Sequence, residues 1–173
     1  GYLVLVPGAA GARVSSTPAA TPQLGTSGTD GSVEQVRQIV QCGGTMYAVG
    51  RFTAIRNPNS TALIARNNAF AFSATSPHLV TGWNPNVNGQ VDTVACGVDG
   101  SILLGGTFTG AGGAANRNLA KVSAISGVAM PFAFDPPAAV FHIEVVAGHL
   151  LVGGRFAGYL DSRNPVTGAG DGY

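Results

Sequence analysis

An all-β fold assembled from repeated four-stranded antiparallel units is the expectation for this chain, and three observations set it. Only 10% of its 173 residues are charged while 26 are glycine, the composition of a turn-rich β protein, since about 25% charge is usual. A Gly-x-Phe signature recurs at Gly50-Arg51-Phe52, Gly106-Thr107-Phe108 and Gly154-Arg155-Phe156, its glycines 56 and then 48 residues apart. The residues before each signature also match. Val36, Ile39, Gly44, Met46 and Gly50 fall on Val140, Ile143, Gly148, Leu150 and Gly154 at a constant offset of 104, and the middle copy lies at offset 55 through Val91 and Val94 before gaining one residue in the turn Val98-Asp99-Gly100.

Each copy reads as two strands joined by a tight turn, because runs rich in β-branched and aromatic residues are bounded by glycine. The pairs are Val36 to Cys42 with Thr45 to Phe52, Val91 to Cys96 with Ser101 to Phe108, and Val140 to Val146 with His149 to Phe156. A third strand follows a surface loop at Asn68 to Ser73 and at Asn118 to Ser123. A fourth short strand is expected to end in aromatic-Asn/Asp-Pro, at Trp83-Asn84-Pro85 and Phe134-Asp135-Pro136. The third copy is shortened, Gly158 running straight into Tyr159-Leu160.

Four antiparallel strands restarting every ~50 residues predict the blades of a β-propeller. A four-stranded sheet that is apolar on both faces cannot bury both alone, so neighbouring units stack face to face. The expected organisation is an N-terminal strand and Pro/Ser/Gly-rich linker over residues 1–30, then a partial propeller over 31–173 with blades near 31–85, 86–136 and 137–173. Three blades do not close a ring, so further blades or further copies of the chain are expected to complete it. Residues 2–12 read equally as the tail of a signal peptide or as a short strand from Tyr2 to Val6.

The stretch Asp99-Gly-Ser-Ile-Leu-Leu-Gly-Gly-Thr-Phe-Thr109, followed by Asn118-Leu-Ala-Lys-Val122 and Ser126-Gly127, resembles the repeats of bacterial secreted propellers of the delta-sixty type. It is similar, less closely, to Kelch blades with their paired glycines. The resemblance implies the fold over residues 31 to 173 and leaves function open, since such propellers serve as binding, surface and enzyme-associated modules.

Several chemistries are disfavoured by the residues themselves. The formal net charge is +1 and the basic residues are scattered singly from Arg13 to Arg163, whereas a nucleic-acid groove needs clustered Lys and Arg. No apolar run reaches the ~18 residues of a membrane-spanning helix. Gly110-Ala-Gly112-Gly-Ala-Ala115 imitates a dinucleotide fingerprint, but the repeat places it in a loop of variable length rather than before a helix. His142, Glu144 and His149 are expected on one face of a hairpin that turns at Ala147-Gly148. His142 and His149 then stand roughly 13 Å apart along the ladder at ~3.3 Å per residue, too far to share an ion. No nucleophile motif or Asp-rich calcium loop occurs, so no catalytic residue, metal ligand or cofactor is assigned and the chain is expected not to be an enzyme.

Cys42 and Cys96 end the first strands of consecutive copies. Equivalent positions in adjacent blades are near neighbours, so a disulfide is expected, although the alignment sets Cys96 opposite Gln41 and two buried thiols are the alternative. Asn59-Ser60-Thr61 meets the glycosylation pattern in what reads as plain loop. Trp83, Phe132 and Phe134 read as packing between blades, with carbohydrate stacking as the alternative. The expected function is a non-enzymatic binding or scaffold module, secreted or on the cell surface, facing a protein or carbohydrate. The alternatives are a structural subunit of a virion or extracellular filament, and a recognition domain of a larger extracellular hydrolase or oxidase.

Overall fold

The computed structural model describes residues 20–25, 33–156 and 160–172. The strand or signal remnant expected at Tyr2 to Val6 lies outside them. The described residues are all-β, with fourteen strands in five small antiparallel sheets.

Three of these sheets are equivalent. The first joins β2 (Gln35–Cys42), β3 (Thr45–Arg51) and β6 (Ala69–Ser73). The second joins β7 (Gln90–Cys96), β8 (Ser101–Thr107) and β11 (Leu119–Ser123). The third joins β12 (Val140–Val146), β13 (His149–Gly154) and β14 (Asp161–Arg163). All three carry a bulge at the same place in the first strand, between Val36 and Gln38, Val91 and Thr93, and Val140 and His142. The signature glycine sits opposite that bulge. A Cβ on Gly50, Gly106 or Gly154 would collide with the carbonyl oxygen of Gln35, Gln90 or Ala139 respectively, so the recurring glycine is a close-approach residue set by the partner strand.

The fourth strand is reduced to a single bridge, Phe72 with Leu79, Val122 with Ala129, and Arg163 with Gly170. Pairing cannot propagate far, because Pro77 precedes the first bridge and Pro131 follows the second, and proline offers no N–H to a ladder. The turn before each bridge is the same device three times. Ser73 Oγ accepts from the N–H groups of Thr75 and Ser76, Ser123 Oγ from Ile125 and Ser126, and Asn164 Oδ1 from Val166 and Thr167. The shortened third copy therefore has its third strand and turn, over Asp161 to Gly170, with Asn164 standing for serine.

Asn68 and Asn118 begin the third-strand segments in the left-handed region, at φ of 63° and 62°. Their Nδ2 groups donate to the carbonyls of Val87 at 2.8 Å and Pro136 at 3.0 Å, tying each sheet to the segment that enters the next. These bonds align Val87 with Pro136. The two aromatic-Asn/Asp-Pro motifs are therefore not in equivalent positions, contrary to the sequence alignment.

The three sheets stack through two apolar layers. Tyr47, Val49, Trp83, Val94, Leu104 and Val122 belong to the layer between the first and second sheets; Leu103, Leu119, Val140, Ile143, Leu150 and Val152 belong to that between the second and third. Alternation along β8 supplies both layers, Ile102 and Leu104 to one and Leu103 to the other. The central sheet is consequently buried on both faces.

Two smaller sheets complete the fold. β4 (Ala54–Arg56) and β5 (Ile64–Ala65) form a hairpin on which β1 (Gln23–Leu24) pairs. Gln23 and Leu24, within the stretch expected as linker, thus form a strand. The matching hairpin in the second copy is β9 (Gly110–Ala111) with β10 (Ala114–Ala115). It is followed by the antiparallel strand β11, so the glycine-rich segment there is a hairpin and not a nucleotide loop. Leu24, Ile55 and Ile64 pack with Ala48, Phe70 and Phe72 on the outer face of the first sheet. These side chains cover the face over β3 and β6.

Candidate binding groove

The first strands β2, β7 and β12 lie side by side at one edge of the stack, β7 against β2 and β3, β12 against β7 and β8. An open groove of about 390 Å³ runs across them, bordered by Gln38, Val40, Val94, Cys96, His142 and Glu144.

The residue just after the first bulge, and that after the second, positions the next sheet. Gln38 Oε1 accepts from the backbone N–H of Val94 at 2.8 Å, and Thr93 Oγ1 accepts from that of Ile143 at 3.2 Å. Both N–H groups lie at sheet edges, where burial without a partner would cost about 1–3 kcal/mol. Beside this step the bulged residues Arg37 and Asp92 form an ion pair at 3.0 Å, and Gln90 Nε2 donates to the same carboxylate at 2.8 Å. At the far end of the groove Cys42 and Cys96 are joined in a disulfide, their Cα atoms 5.7 Å apart. The link is diagonal. Cys96 pairs with Ile102 as Gln41 pairs with Met46, so the sulfur of Cys42 reaches one residue along its neighbour.

His142 follows the third bulge, in the place of Gln38 and Thr93. Its Nε2 lies 3.9 Å from Glu144 Oε2, and both side chains are exposed. His149 lies at the other end of the hairpin, paired with Val146. Its Nδ1 is 2.7 Å from Asp171 Oδ2, which also accepts from Ser162 Oγ at 3.1 Å. A nucleophilic serine would need its proton held by the imidazole. Here the serine hydroxyl donates its hydrogen bond to the carboxylate instead. The register thus brings His142, Glu144 and His149 to one face but groups only the first two.

The aromatic residues divide. Trp83 is fully buried, edge-on to Tyr47 with ring centroids 5.0 Å apart, and its Nε1 donates to the Ser123 carbonyl at 3.0 Å. It packs two sheets together and offers no platform. Tyr47 donates to the Ala124 carbonyl at 3.0 Å, and burial pushes its phenol pKa up. Phe132 and Phe134 are half-buried against the second layer, with the Arg163 guanidinium 3.9 Å from the Phe134 centroid. Asn59 is exposed between β4 and β5.

Sequence reasoning missed Lys121. It is 3% exposed, with Nζ 2.6 Å from Asp99 Oδ2 and 2.7 Å from the Val166 carbonyl. The Lys121 and Ser101 hydrogen bonds hold the Asp99 carboxyl below its ordinary pKa. The ammonium ties the second sheet to the segment after β14, at the wall of a cavity of about 560 Å³ bordered by Met130, Phe132 and Val166. Its hydrophobic neighbours in the sequence, Ala120 and Val122, conceal that role. Among the described residues no three of His, Cys, Asp and Glu are grouped to hold a metal ion, and no helix is long and apolar enough to cross a membrane. No protein-family model, curated protein or solved structure matches the chain.

Proposed function

We propose that the chain is a run of three propeller blades from a non-enzymatic binding or scaffold module, working outside the cell, with the groove along β2, β7 and β12 as its contact surface. The observation that carries this reading is the repeated step between sheets, in which the residue after the bulge accepts the edge N–H of the next first strand. A step that recurs with the same donor and acceptor positions is how repeats stack into an array. Inner strands set side by side give such an array a groove at its axis.

Two further features support an extracellular binding role. The Cys42–Cys96 disulfide suits an oxidising compartment, and the groove combines apolar walls with the exposed polar pair His142 and Glu144. The target class is a protein or carbohydrate surface. Retention of the full chain on immobilised polysaccharide and protein panels tests this, with a His142→Ala, Glu144→Ala double variant as comparison. Both side chains are exposed, so the variant should keep its melting behaviour while binding falls at least about tenfold, or about 1.4 kcal/mol. Absence of binding on every panel, or binding indifferent to the double substitution, contradicts the reading.

A further inference from the structure

The step between sheets is left incomplete at both ends of the stack, and the two incomplete halves match. On the third sheet His142 stands where Gln38 and Thr93 stand, with its side chain exposed. A neutral imidazole has one ring nitrogen to accept a hydrogen bond. On the first sheet Ile39 stands where Val94 and Ile143 stand, on the outer edge of a strand whose other edge pairs with β3. Val94 and Ile143 are 1% and 2% exposed, packed against the preceding sheet, whereas Ile39 is 51% exposed. Val36 repeats the contrast at 38%, against 0% for both Val91 and Val140.

The cover on the first sheet does not remove this opening. Leu24, Ile55 and Ile64 fill the outer face over β3 and β6. In both existing interfaces the first strand, β7 or β12, makes the closest backbone approach to the preceding sheet, with side chains of the second strand packed behind it; its counterpart β2 keeps Val36 and Ile39 exposed. Phe141, exposed on the third sheet, is the bulged residue equivalent to Arg37 and Asp92.

Resting on the stacked-blade reading above, we infer that the third sheet is a docking surface for the first sheet of a second copy of this chain. In that contact the Ile39 N–H of one copy donates to the His142 ring of the other. Val36 and Ile39 are buried, and the exposed Phe141 ring meets the bulge of the incoming first sheet. The contact is heterologous, one copy's first sheet meeting another's third, and it continues the interface the chain already makes twice within itself.

The native disulfide supplies the test. Val146 occupies the position of Cys42, and Gln41 that of Cys96; both are exposed. Full-length chains carrying Val146→Cys and Gln41→Cys, made separately with distinguishable masses, are mixed and oxidised, and the linked peptides are mapped. The expected result is a disulfide joining position 146 of one copy to position 41 of the other as the main product. It should be lost when Ile39→Lys is added to the second chain. An intact Cys42–Cys96 link with no link between positions 146 and 41 overturns the proposed contact alone. Absence of the Cys42–Cys96 link in the parent chain overturns the stacked reading and the contact together.

Discussion

At the scale of single residues, the signature glycine of each repeat is fixed by a carbonyl oxygen on the partner strand and not by a turn. Gly106→Ala should therefore force β7 and β8 apart at the bulge and destabilise the chain by about 1–3 kcal/mol, the usual cost of overpacking. Gly44→Ala, where a Cβ meets nothing within 4 Å, should stay within about 0.5 kcal/mol of the parent. Urea unfolding of the two variants checks the contrast. Equal effects would show that the glycines are not close-approach residues. The recurrence of Gly50, Gly106 and Gly154 was legible in the sequence, but its cause was not, because the clashing oxygen belongs to a residue 15 or 16 positions earlier. Lys121 was illegible for a related reason. A lysine between Ala120 and Val122 looks like a solvent-facing strand residue until the carbonyl of Val166 and the carboxylate of Asp99 are brought to it.

Among the elements, the first and second strands of every repeat fell where β propensity and tight turns put them. The fourth did not form. Prolines and the Ser/Asn-capped turn leave one bridge in its place, and the aromatic-Pro motif that advertised a strand instead marks the entry to the next sheet. The third strand of the last repeat was hidden because Asp161-Ser162-Arg163 has none of the apolar character of Ala69 to Ser73. Pairing of Cys42 with Cys96 was foreseeable from their places at the ends of consecutive first strands, but the diagonal link was not, because alignment carries no information on how two sheets are offset. That link closes a span of 54 residues and should contribute about 4 kcal/mol by restricting the unfolded chain. Cys42→Ser with Cys96→Ser should lower denaturant stability by that order while leaving the far-ultraviolet circular dichroism unchanged. A double variant as stable as the parent would mean that the linkage contributes little.

Across the whole molecule, three equivalent antiparallel sheets stack so that β7 and β12 are each held by the side chain following the bulge of the sheet before it. The central sheet, buried on both faces, should be the last to open. Native-state amide hydrogen exchange reads this claim most directly. Val94 and Ile143 sit in edge strands, whose outward N–H groups ordinarily exchange quickly, yet Gln38 and Thr93 accept from them. Slow exchange is expected at both amides, with Gln38→Ala exposing Val94 alone and Thr93→Ala exposing Ile143 alone. Fast exchange at Val94 and Ile143 in the parent chain, or protection indifferent to both substitutions, would contradict it.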